Sequence, residues 1–165
     1  MSHAPTRNWL CVAAILTAAA TLPAQAQSTP PADPWVHDCK TINAKQVCRI
    51  VQNLSMKRGD QQRPLLSVMV RPDKGAKNHA LYLATPHGLF LPAGLEISID
   101  NEKPIRLQFH TSDTKGLYAG MPISDEMLSS LKKGIKMTVV FVSMQKKKIG
   151  VPVSLKGFTA AYQKL

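Results

Sequence analysis

Aromatic side chains are scarce in this 165-residue chain, at 5%, which argues against an aromatic platform that stacks single-stranded nucleic acid. Acidic residues are few as well: 10 Asp and Glu stand against 21 Lys and Arg, a formal net charge of +11. Motifs for common chemistries are missing. No Ser sits in a nucleophile elbow, and no glycine-rich loop opens a helix to receive phosphate. Internal repeats are absent too. Hydrophobic residues nevertheless make up 44% of the chain, enough for one packed domain and too many for wholesale disorder.

The first 26 residues read as a signal peptide. Arg7 precedes an apolar-to-small run over 10–22, and Ala24-Gln25-Ala26 supplies the small-x-small cleavage pattern. That run is short of the roughly 20 apolar residues a membrane span needs, and no later run is longer. Cleavage near Ala26 leaves 139 residues with a formal charge of +10 and places them in the periplasm or outside the cell. Residues 27–34, rich in Ser, Thr and Pro, read as a disordered lead-in, and 35–165 as a single domain.

Export sets the meaning of Cys39 and Cys48, the two cysteines that remain. Eight residues separate them, which suits a hairpin clipped by a disulfide in an oxidising compartment. Closing so short a loop is worth about 2–3 kcal/mol in the chain-entropy model. A redox pair of the thioredoxin type needs two intervening residues, and no His or Cys partner in the sequence pattern completes a zinc set. The histidines outside the leader, His37, His79, His87 and His110, read as surface or loop residues, so no metal or cofactor is expected.

The remainder reads as short strands broken by turns: 46–54, 63–71 after a polar turn at 57–62, 77–84, and a hairpin of 95–100 with 105–110. In that hairpin Ile97 and Ile99 share a face, as do Ile105, Leu107 and Phe109, while Arg106, Gln108 and His110 point outward. One helix interrupts the strands. Ser124 is its N-cap, Asp125 and Glu126 complement the dipole, Met127, Leu128 and Leu131 form the apolar side, and Gly134 closes it. As consecutive helix residues, Asp125 and Glu126 point apart and make no acid–base pair. Strand 136–144 is apolar on both faces, the mark of a central strand, whereas Pro152 assigns 149–155 to an edge. Phe158 and Tyr162 would pack a final helical turn. The expected fold is all-β: a β-sandwich-like domain of about seven or more short antiparallel strands with one short α-helix.

The order of these features resembles the invasion-associated locus B (IalB) family of exported bacterial proteins. The resemblance rests on WVHDC at 35–39, Cys48 and Gln52, GLFLPAGLEI at 88–97, Ile99-Asp100, the helix end at 128–134, and VSLKGF at 153–158. It implies a small, exported, mostly β protein of Gram-negative bacteria, linked in some pathogens to host-cell invasion and without an agreed enzymatic activity. Many members carry a second cysteine pair in the stretch matching 111–119; here that stretch is TSDTKGLYA, without cysteine.

Charge supplies the remaining signal. Lys146, Lys147 and Lys148 lie at a hairpin tip, and Lys132, Lys133 and Lys136 cluster around the helix end. Brought to one end of the fold, these six would form a patch for anionic lipid, acidic glycan or an acidic protein surface; left apart, they serve solubility and protect strand edges. The expected function is non-catalytic binding or stabilisation of another envelope component, an envelope protein or membrane complex. The alternative is a secreted host-surface or polyanion binder acting through the lysines. No nucleic-acid partner is expected for an exported protein.

Overall fold

The computed structural model describes Met1 and residues 33–73 and 78–165. Residues 2–26, which fall in the segment expected to be a signal peptide, and most of the 27–34 lead-in lie outside the described residues. Ten strands fall into two antiparallel sheets that share one hydrophobic core. The six-stranded sheet runs β1 (Val36–Ile42), β2 (Lys45–Arg58), β3 (Gln61–Arg71), β4 (Ala80–Thr85), β8 (Gly116–Pro122) and β7 (Thr111–Asp113) from edge to edge. The four-stranded sheet is ordered β10 (Lys148–Ser154), β9 (Lys136–Val142), β5 (Leu95–Ile99) and β6 (Ile105–Leu107). Two helices, α1 (Asp125–Lys133) and α2 (Phe158–Tyr162), complete the domain. The fold is the expected β-sandwich, with a second short helix where a final helical turn was anticipated. Among the described residues, no helix is long and apolar enough to cross a membrane.

Alternation builds the core. Leu66, Val68 and Val70 of β3 and Leu81 and Leu83 of β4 are buried from one sheet, and Ile97, Val139, Phe141, Val151 and Val153 from the other. β9 lies between β10 and β5, so its two apolar faces match its central place, and β10 with Pro152 is an edge. α1 is capped as its sequence predicts: the Ser124 hydroxyl accepts from the Met127 N–H at 3.1 Å, and Met127 and Leu131 are buried.

Several local expectations change. The 46–54 and 63–71 strands extend toward each other into one long hairpin, and the turn between them shrinks to Gly59-Asp60. Strand 105–110 ends at Leu107, and Ile105 is 39% exposed rather than covered, because β6 is an edge that pairs only with β5. β7 and β8 carry no strand signal in the sequence, yet β8 pairs along the whole of β4. Gly134 does not close α1 in the left-handed conformation; its φ is −69° and ψ 160°. It is required for closeness: a Cβ there would lie 2.8 Å from Ile99 Cγ2 and from the Ser130 carbonyl oxygen.

Candidate functional site

The outer face of the six-stranded sheet, turned away from the core, carries apolar groups where a solvated face would be polar. Met69, Tyr82, Ala84 and Tyr118 are half-buried there, and Leu65, at a bulge in β3, packs against the core beside them. Two adjoining cavities of about 480 and 310 Å³ share Ser67, Ala84 and Tyr118 in their walls. Register explains the alignment: Met69 is opposite Tyr82, Ser67 opposite Ala84, and Ala84 opposite Tyr118. Three neighbouring strands thus present alternate residues to one groove.

Polar groups lie along this groove. Arg71 at one end packs its guanidinium 4.4 Å over the Tyr82 ring, and Lys115 lines the larger cavity at the other end. Arg71 Nε and Thr85 Oγ1 are the buried side-chain polar atoms that lack a hydrogen-bond partner among the described residues. Arg71 lines the smaller cavity and Thr85 the larger. Buried polar groups are normally satisfied, and Arg71 Nε is the orphan on the groove side; Thr85 alternates in phase with Leu81 and Leu83, so its hydroxyl turns toward the core face.

Asp113 shapes the Lys115 end. Its carboxylate accepts from the Lys115 N–H at 2.7 Å, the Gly116 N–H at 3.1 Å and the Tyr118 hydroxyl at 2.9 Å. The Lys115 amide bond, then the Tyr118 hydroxyl, hold this carboxyl below its usual range, and Asp113 in turn raises Tyr118. His87 adds a hydrogen bond between Nε2 and the Asp113 carbonyl at 2.9 Å. One carboxylate closes the β7–β8 hairpin, within the stretch where the family resemblance implies a second cysteine pair.

The six lysines are not brought together. Lys136 opens β9 opposite Ser154, whereas Lys148 pairs with Val142 at the strand's other end. Six residues at about 3.3 Å each separate those positions by about 20 Å, more than two screening lengths at physiological salt. Lys132, Lys133 and Lys136 form one exposed group beside Ile135, which is 81% exposed, and Lys146, Lys147 and Lys148 another. Two of the six rest on aromatic rings: Lys132 lies 5.0 Å from the Tyr162 ring centre and Lys146 5.4 Å from that of Phe90.

Cys39 and Cys48 form the expected disulfide and are directly opposed in the β1–β2 register. The sequence pattern offers no His or Cys that completes a zinc set, and the fold adds a neighbour that the pattern did not single out. His37 Nε2 is 3.5 Å from Cys39 Sγ, and the three side chains offer donor atoms within 4.8 Å of one another. Residues two apart on a strand share a face, so the spacing His37-Asp38-Cys39 held the signal once that segment was known to be a strand. His79 is likewise not a free loop residue: its Nδ1 is 2.8 Å from the Tyr162 hydroxyl, and burial lowers its pKa.

The family residues serve mainly the frame. Trp35 is buried edge-on against Phe158, ring centres 5.1 Å apart, and its Nε1 donates to the Ser154 carbonyl at 2.8 Å. No curated protein matches the sequence. Among solved structures, the chain is similar to the invasion associated protein B of Bartonella henselae, with a TM-score of 0.67 and 17% identity over 80% of this chain and 90% of that one. That likeness supports the sandwich fold. The model of the family described as invasion associated locus B (IalB) protein matches residues 35–165. The chain belongs to the invasion-associated locus B family.

Proposed function

We propose that this protein is an exported, non-catalytic envelope protein that binds or stabilises another envelope component through the outer face of its six-stranded sheet. The observation that carries the reading is the unpartnered buried Arg71 Nε in the wall of an apolar cavity that adjoins a larger one on the same sheet face. A component that fits presents apolar side chains to Met69, Tyr82 and Tyr118 and a carboxylate to Arg71. Such contacts bury apolar area and pair a desolvated charge, so they persist in moderate salt.

The test is a crosslinked affinity purification of tagged protein from its own envelope fraction at low and moderate salt, followed by reconstitution of the recovered component with purified protein. Ser67→Trp, which fills the groove, and Arg71→Ala should abolish or weaken the pair, while Lys146, Lys147 and Lys148 changed to Glu should leave it intact. A component held equally well by Ser67→Trp would overturn this reading. The alternative, polyanion binding, is favoured by the exposed Ile135 among Lys132, Lys133 and Lys136. Its sign would be loss of anionic lipid or glycan in salt and in the variant with those three lysines changed to Glu.

A further inference from the structure

The β1–β2 hairpin does not depend on its disulfide for register. Seven residue pairs join the strands, from Val36 with Val51 to Ile42 with Lys45, and Cys39–Cys48 is one of them. Beside the bridge, the Arg49 guanidinium donates to the Asp38 carboxylate at 2.7 and 2.9 Å, and β2 is also bonded along its far side to β3. Opening the bridge therefore leaves two thiols facing each other on a partly exposed sheet edge.

His37 completes the set. Its Nε2 is 3.1 Å from the Lys164 backbone carbonyl; a carbonyl only accepts, so Nε2 is the donor and Nδ1 carries the lone pair. Nδ1 is 4.0 Å from Cys39 Sγ. A metal about 2.3 Å from sulfur and about 2.0 Å from nitrogen sets those atoms about 3.5–3.8 Å apart at tetrahedral to trigonal angles. A small side-chain rotation reaches that spacing. The carbonyl that orients the imidazole is the kind of outer-shell partner that metal-bound histidines carry.

We propose that the reduced hairpin is a metal site: the thiolates of Cys39 and Cys48 and Nδ1 of His37 bind one thiophilic divalent cation of the zinc class, with a fourth position open to water. Two thiolates and an imidazole select such an ion over magnesium or calcium. A dithiol reductant delivers two electrons and two protons to the bridge and becomes a disulfide itself. The cation then displaces the two thiol protons to solvent. A disulfide oxidant then accepts two electrons from the thiolates and, with two protons from solvent, becomes a dithiol; the bridge re-forms and the ion is released, so occupancy follows the redox state. This inference is independent of the groove and its partner.

The experiment uses the full chain reduced with a non-chelating phosphine under argon and titrated with Co2+, then Zn2+, with circular dichroism recorded throughout. One equivalent of Co2+ should produce a thiolate-to-cobalt charge-transfer band that one equivalent of Zn2+ removes, with β structure retained. Oxidised protein and Cys39→Ser should lack the band. His37→Ala, and His37→Gln, which can still donate to the Lys164 carbonyl, should each bind Zn2+ at least about tenfold more weakly. The proposal fails if the reduced protein keeps its β structure and shows no band, if the His37 variants bind as tightly as the parent, or if reduction itself abolishes the β structure.

Discussion

The side-chain amide of Gln52 closes a ring with the backbone of Ser154: Nε2 donates to the Ser154 carbonyl at 3.0 Å, and Oε1 accepts from the Ser154 N–H at 3.1 Å. Gln52 lies on β2 and is only 4% exposed, and Ser154 ends β10, so the ring ties the six-stranded sheet to the open edge of the four-stranded one. The amide stands in for the strand that edge lacks. Gln52→Leu keeps the bulk and removes both bonds, leaving the Ser154 N–H without its partner. It should destabilise the fold by about 2–4 kcal/mol in urea unfolding. A change below about 0.5 kcal/mol, the range of ordinary surface substitutions, would show that water replaces the amide.

His79 makes stability depend on pH. Burial favours its neutral form, so the folded pKa lies below the ordinary value near 6.5 that the unfolded chain retains. Between the two values the unfolded state binds more protons, and stability rises with pH there. Acidification from about pH 7 through 6.5 and below should therefore lower the unfolding midpoint, and His79→Gln should flatten that slope. An unchanged slope would assign the acid sensitivity to other groups.

Gly134 is a packing glycine. Gly134→Ala meets Ile99 Cγ2, the Ser130 carbonyl oxygen and Leu155 Cδ1, all within 3.0 Å of the new methyl, so overpacking should cost about 1–3 kcal/mol. A thermal melt decides the sign. A higher melting temperature would mean that α1 shifts freely and that the lost chain entropy of glycine dominates.

The separated lysines should act independently. Charge reversal at Lys132, Lys133 and Lys136 and reversal at Lys146, Lys147 and Lys148 should change the free energy of binding to anionic vesicles additively, within about 0.5 kcal/mol. Strong synergy between the two triple variants would mean that one surface engages both ends of β9 at once.

Local chemistry made much of the frame legible. The Ser124 cap with its acidic first turn identified α1, two apolar faces marked β9 as central, and Pro152 placed β10 at an edge, because each signal acts within a few residues of backbone. β8 was not legible. Its sequence, GLYAGMP, holds two glycines and a proline, and it is a strand because β4 supplies its hydrogen bonds and Gly120 makes room for the Tyr82 ring, whose Cδ1 would be 2.9 Å from a Cβ. The candidate groove was hidden with it, since Tyr118 and Lys115 belong to that hairpin. The sequence by itself determined the all-β class, the helix and the pairing of Cys39 with Cys48. Only the tertiary structure decided that the lysines divide between opposite ends, that His37 lies against the disulfide, and that Gln52 meets Ser154 across 102 residues. The physical reason is range: capping and alternation act between near neighbours, whereas these relationships depend on which strands exchange hydrogen bonds and which sheet faces pack.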